Sequence, residues 1–109
     1  MSRTLVDLQA DCEAVSRVYE ARCAFDRDDD WQLLKLQEEA GELVSAYLRL
    51  TGRGRPKGDG VDEIRRQFED ELADCLAQVL LIAERFDVDL ERAIERKWLP
   101  HLGGSGAGL

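Results

Sequence analysis

Two stretches of this chain constrain its fold more than anything else in it. Between Leu33 and Leu50, apolar residues recur at Leu33, Leu36, Ala40, Leu43, Val44 and Tyr47, the spacing of one face of an α-helix. Between Ile64 and Phe86 the same period places Phe68, Leu72, Cys75, Leu76, Val79 and Ala83 on a second stripe. Each stripe carries an acidic pair at its flank, Glu39 with Glu42 and Glu71 with Asp74, three residues apart and therefore neighbours on a helix surface. Two amphipathic helices that bury their stripes against each other bring the two pairs together. Four carboxylates that converge repel one another and call for a cation.

The rest of the composition bounds the fold class. A chain of 109 residues supports one domain with a modest core. Its net charge of −8, from 15 basic and 23 acidic residues, argues against a binder of polymeric nucleic acid, which needs a basic surface. No apolar run is long enough to span a membrane, and the N-terminal segment, with Asp7 and Asp11, has no signal-peptide core. Three cysteines, Cys12, Cys23 and Cys75, without a CxxC pair and with one histidine, fit neither a zinc site nor a disulfide framework. They read as buried, reduced thiols in a cytoplasmic protein.

The helices follow in order. The first is expected from Leu5 to about Arg22, with Leu5, Leu8, Cys12, Val15 and Tyr19 on one face and Thr4 capping it in partnership with Asp7. The run Asp26-Arg27-Asp28-Asp29-Asp30 is expected to be a solvated connector whose last aspartate caps the second helix, Trp31 to Leu50. Residues 51–60 hold four glycines and Pro56 together with Arg53, Arg55 and Lys57. They form either a plain solvent loop or a mobile cationic flap that meets a phosphorylated ligand. The third helix is expected from about Asp62 to Phe86, capped by Asp59 or Asp62. Its run Val79-Leu80-Leu81-Ile82-Ala83 is apolar on nearly every side, as in a helix central to a bundle. A turn then leads to a fourth helix, Leu90 to about Leu99, stopped by Pro100. The fold expected is all-α: one domain over residues 1–102, a four-helix bundle-like core with helices two and three antiparallel, and a glycine-rich tail at 103–109. A bundle this small leaves apolar surface uncovered, so a homodimer or homotetramer is expected.

Oxygen ligands on facing helices suit a hard cation, and Mg²⁺ shares such ligands with water and phosphate. Glu39, Glu42, Glu71 and Asp74 are the candidate ligands. Glu38, turned farther from the stripe, is a second-sphere group, a ligand for an additional ion, or the base that orients an attacking water. The alternative is that these carboxylates are solvated flank residues paired with Lys35, Arg65 or Arg66. A diiron centre fits less well, because its Glu-x-x-His pairs are absent.

The segments Leu36-Gln37-Glu38-Glu39-Ala40-Gly41-Glu42-Leu43 and Glu69-Asp70-Glu71-Leu72-Ala73-Asp74-Cys75-Leu76 together resemble the MazG-like all-α nucleoside triphosphate pyrophosphohydrolases, whose signature is EExxE, a gap, then ExxD. The likeness covers Trp31 to Leu99, and Lys97 stands where that family has a recurring lysine. It implies cleavage of a nucleoside triphosphate between its α and β phosphates. It also implies Mg²⁺ on Glu39, Glu42, Glu71 and Asp74, with Glu38 and Glu39 as the catalytic pair. Lys97, Arg53, Arg55 and Lys57 would then face the phosphates and Trp31 the base. Pro100-His101-Leu102 stands where that family usually has a basic or polar cluster, so part of the phosphate-binding set is missing or comes from another subunit. A reading of a different class, a non-catalytic helical dimer that binds nucleotide or a protein partner, uses the same carboxylates.

Overall fold

The computed structural model describes residues 3–23 and 27–103. Among them are four α-helices, α1 (Leu5–Cys23), α2 (Trp31–Leu50), α3 (Val61–Arg85) and α4 (Leu90–Lys97), then a 3₁₀ turn at Leu99–His101, and no strand. Phe25 and Asp26 of the connector, and the tail beyond Gly103, lie outside the described residues. α3 is the central element. It packs along α2 over most of its length and along α1 on another side, which is why Leu80, Leu81 and Ala83 in its second half are the buried part of the core.

Local chemistry fixes the helix ends. Thr4 Oγ1 accepts from the Asp7 amide and Asp7 Oδ2 from the Thr4 amide, both at 3.1 Å, the reciprocal box expected from the sequence. α2 departs from expectation. Asp28, not Asp30, takes the first amides, with Oδ1 at 3.1 Å from the Asp30 nitrogen and 2.9 Å from that of Trp31. α3 begins at an uncapped Gly60, because the expected cap Asp59 is engaged by Arg49 and Gln67 instead. Asp89 caps α4 through the Arg92 amide, and α1 meets α4 where the Leu5 amide donates to Glu91.

The acidic connector is not wholly solvated. Arg27 folds back onto α1, its side chain only 7% exposed, and bonds Glu13 at 2.6 Å and Ser16 at 2.9 Å. The bond from Arg27 holds the Glu13 carboxyl below the usual carboxylate range, against the opposing effect of its own burial. The α2–α3 turn is pinned in a comparable way. Arg49 reaches from the last turn of α2 to the carbonyls of Arg55 and Pro56, to the Asp59 carboxylate and to Gln67 on α3. The amides of Arg53 and Gly54 both donate to the Leu48 carbonyl. A side chain at Gly54 would meet Arg49 Cγ at 2.9 Å, so this clamp requires glycine there. Gly52, at φ 76°, makes the reversal out of α2.

The seam between α2 and α3 runs along a different line of α2 from the apolar stripe. Gln32 and Ala46 are buried, with half-buried Glu39 midway between them at a spacing of seven. Leu33 and Val44 are 61% and 57% exposed. Glu39 is thus part of the packed seam and not of its flank, while half the stripe faces outward. The cysteines differ too: Cys12 and Cys75 are partly covered, Cys23 is exposed, and all three are unbridged.

Removing the Arg27 guanidinium takes the buried counter-charge from both Glu13 and Glu20 and leaves Glu13 only its exposed partner Arg17. Arg27→Met should therefore lower the unfolding free energy by about 3 kcal/mol, the usual result of breaking a buried pair from one side, as read by urea denaturation at neutral pH.

Candidate metal centre

Contacts at the turn end set the register of α2 against α3. The Tyr47 and Phe68 rings lie 6.4 Å apart, and Arg49 bonds Gln67. Continued up the antiparallel pair, this register carries Glu42 past Glu71 and Glu39 past Asp74. Glu39, Glu71 and Asp74 converge: one carboxylate oxygen from each lies within 4.8 Å of the others. Glu42 is more exposed and stands outside this trio, but its charge acts on both Glu39 and Glu71. Burial first, and the Asp74 charge second, push the carboxyls of Glu39 and Glu71 up from their ordinary value. The Cys75 thiol beside them is also raised, by burial and then by the same three carboxylates. Glu71 Oε2 is enclosed and has no hydrogen-bond partner.

Crowded, partly desolvated carboxylates with an orphaned oxygen are a poor arrangement by themselves and a suitable one around a divalent ion. All donors are oxygen, which suits Mg²⁺ over softer metals. The residues present therefore fit the ion expected from the sequence. Glu38 faces outward and pairs with Lys35 one turn back.

A cleft of about 630 Å³ opens onto the carboxylates. Glu39 and Asp74 form its acidic end; Trp31, Gln32 and Lys35 of α2 and Ala77, Gln78 and Leu81 of α3 extend it away from them. Its far wall comes from α1, where Cys12, Val15 and Tyr19 line it. Lys35 Nζ sits 5.7 Å from the centre of the Trp31 ring, joining the two along one edge of the cleft. Of the residues expected at the substrate, Trp31 lines this cleft. Arg53 lies against the Tyr47 ring, 5.4 Å from its centre, and with Arg55 and Lys57 belongs to the turn beyond α2, about 17 Å along the helix axis from Glu39. Lys97 is on α4, outside the cleft walls. Periodicity alone does not reveal the α1 wall, since it places Val15 and Tyr19 on an apolar stripe that reads as core. Lys35 was visible only as an ion-pair partner; its place four residues before Glu39, on the same face, is the signal that could have marked it.

The family model for the MazG nucleotide pyrophosphohydrolase domain matches residues 27–98. The chain belongs to this family. The match covers α2, α3, α4 and all four acidic positions, and leaves α1 outside it. No curated protein and no solved structure matches the chain. Family membership makes the chain a nucleotide pyrophosphohydrolase in general terms and brings with it the family's dependence on divalent metal.

The raised carboxyls have a consequence of definite sign. A carboxyl whose folded-state value lies above its unfolded one favours the native state when protonated, and that contribution is lost as pH rises through the raised value. The metal-free protein should therefore lose stability as pH climbs above the ordinary carboxylate range. Glu71→Gln should raise its melting temperature at pH 7 by a few degrees and abolish the increase that added Mg²⁺ gives the wild type. Thermal melts with and without the ion check both.

Proposed function

We propose that this chain is a Mg²⁺-dependent nucleoside triphosphate pyrophosphohydrolase that cleaves between the α and β phosphates, releasing the nucleoside monophosphate and pyrophosphate. The observation that carries this reading is the continuity of a largely apolar cleft with a cluster of three carboxylates that form no ion pair among the described residues. The base lies toward Trp31, the sugar crosses the middle of the cleft, and the α-phosphate reaches Glu39, Asp74 and Glu71. Glu42 completes the ligand set from the rim. When bound, the ion neutralises charge developing on the phosphoryl oxygens. Glu38, beside Glu39 on the solvent side, accepts a proton from the water that attacks the α-phosphorus as the bond to the bridging oxygen breaks. Its pairing with Lys35 holds it in position. Lys35 is the cation nearest the substrate within the cleft.

The turn carrying Arg53, Arg55 and Lys57 lies beyond the carboxylates from the base end, on the side toward which pyrophosphate extends, and we assign these cations to drawing in the polyphosphate. Lys97 is given the phosphates by family likeness alone. Exposure of Val44, Leu72 and Leu76, and a radius of gyration of 16.8 Å where a compact chain of this length has about 13 Å, support assembly as a homodimer or homotetramer, with soluble nucleotide as the substrate. Unbridged cysteines are in keeping with a cytoplasmic setting.

Incubation with a panel of ribo- and deoxyribonucleoside triphosphates and Mg²⁺, resolving pyrophosphate from orthophosphate, tests the reaction. Pyrophosphate with monophosphate is the expected product pair. Orthophosphate would move the cleavage position, and no turnover of any member would end the enzyme reading. Glu39→Gln and Asp74→Asn should each reduce kcat by at least ~100-fold with helicity retained, because each removes a ligand oxygen. Lys35→Ala should raise KM more than Arg53→Ala does, since Lys35 lines the cleft and Arg53 acts from the turn beyond α2, where its charge is more strongly screened.

A further inference from the structure

Two glutamines in the cleft have a bonding deficit that the metal chemistry does not use. Gln32 is 2% exposed and its Oε1 has no hydrogen-bond partner; Gln78, opposite it on α3, has an enclosed and equally unpartnered Oε1. A carboxamide oxygen shut away from water without a donor destabilises the fold, and a leucine or methionine at either place would not carry that penalty. Both side chains line the cleft that ends on Glu39 and Asp74. Of the other polar groups lining the cleft, Ser16 accepts from Arg27, Asp11 pairs with Arg3 and Lys35 holds Glu38.

Their positions follow from helical rise. Along α3 the cleft residues run Asp74, Gln78, Leu81; along α2 they run Glu39, Lys35, Gln32 in the opposite chain direction. Gln78 is therefore about 6 Å and Gln32 about 10 Å along the helix axes from the carboxylates. This is the zone where a base lies when its α-phosphate is on the metal and a ribose intervenes, and Trp31 adjoins Gln32 with a ring on which a base can stack. A carboxamide beside a base edge can read it in either sense, because turning about its last bond exchanges the acceptor oxygen for the donor amide group. The exocyclic amino group of cytosine or adenine takes the oxygen and the carbonyl that replaces it in uracil or hypoxanthine takes the amide group, so a carboxamide held one way round tells the two apart.

We propose that Gln32 and Gln78 are the specificity-determining residues of the cleft and that they discriminate bases carrying an exocyclic amino group from those carrying a carbonyl in its place. The proposal rests on the reading of the cleft as a nucleotide site, and its test separates the two. The first measurement is kcat/KM for the pairs CTP and UTP, and ATP and ITP, with wild type, Gln32→Met and Gln78→Met. Wild type should favour one member of at least one pair by about 10-fold, and each methionine variant should bring that ratio toward one. Hydrolysis without preference within either pair, or a preference unchanged in both variants, would overturn the proposal and leave the enzyme reading standing. Purely structural glutamines would shift the melting temperature without moving the ratio. The second measurement is quenching of Trp31 fluorescence, in a Trp98→Phe background, by CMP, UMP, AMP and IMP. Quenching selective within either pair, without hydrolysis of any triphosphate, would retain the proposal and reject the catalytic reading; neither quenching nor hydrolysis would reject both.

Discussion

Like charges held together by helix packing set the terms for the rest of this molecule. Glu39 lies in the α2–α3 seam, on the line that also carries buried Gln32 and Ala46, and so cannot swing away from Asp74 and Glu71 without opening the seam. The nearest cation, Lys35, is committed to Glu38. The seam is held apart from the carboxylates, at both ends. Toward the turn, Arg49 fastens the loop backbone, Asp59 and Gln67, and Tyr47 meets Phe68. Toward the other end, Leu80, Leu81 and Ala83 supply the buried apolar contacts. The centre of the helix pair is the part the protein stabilises least, and that is where a divalent ion adds most.

The ionisable groups divide according to this arrangement. Glu13 and Asp59, which anchor the periphery, are held below the ordinary carboxylate range, Glu13 by its bond from Arg27 and Asp59 by bonds from Arg49 and then Gln67. Their contribution is present above the unfolded-state values and is lost as pH falls through the lowered ones. Glu39 and Glu71 run the other way, losing their contribution as pH rises. Acid therefore loosens the clamps while relieving the centre, and raising the pH tightens the clamps while straining it. A bound cation removes the second half of that opposition.

Helix periodicity, the Thr4–Asp7 box, the glycine-rich break and the two acidic pairs were legible because each depends on residues close in sequence. Which side of α2 turns inward was not. Its apolar stripe is wider than one helix contact, and the seam along Gln32, Glu39 and Ala46 contains two polar residues that periodicity assigns to the surface. Arg27 was hidden for a related reason. Set among aspartates it looks solvated, and only the fold of the connector onto α1 reveals Glu13 and Ser16 as its partners. Asp28 replaces Asp30 as the cap because a chain entering α2 from that buried arginine presents the earlier carboxylate to the first amides. The metal trio was visible as four letters at the right spacing; its asymmetry, with Glu42 at the rim, is a matter of helix rotation.

The cleft and the outward apolar surface answer to different partners, and charge separates them. Leu72 and Leu76, at 46% and 47% exposure, are on α3 away from the cleft walls and leave apolar area exposed there. The cleft, by contrast, runs from an aromatic ring past two carboxamides to three carboxylates, a gradient from apolar to anionic within one cavity. No helix face reproduces that gradient. A molecule with a flat heterocycle at one end and a metal-bound phosphate at the other does. The exposed half of the α2 stripe is thus compatible with assembly, while Gln32 and Glu39 stay in the seam and line the cleft. The width of that stripe, which obscured the helix orientation in the sequence, is what lets one helix serve both surfaces.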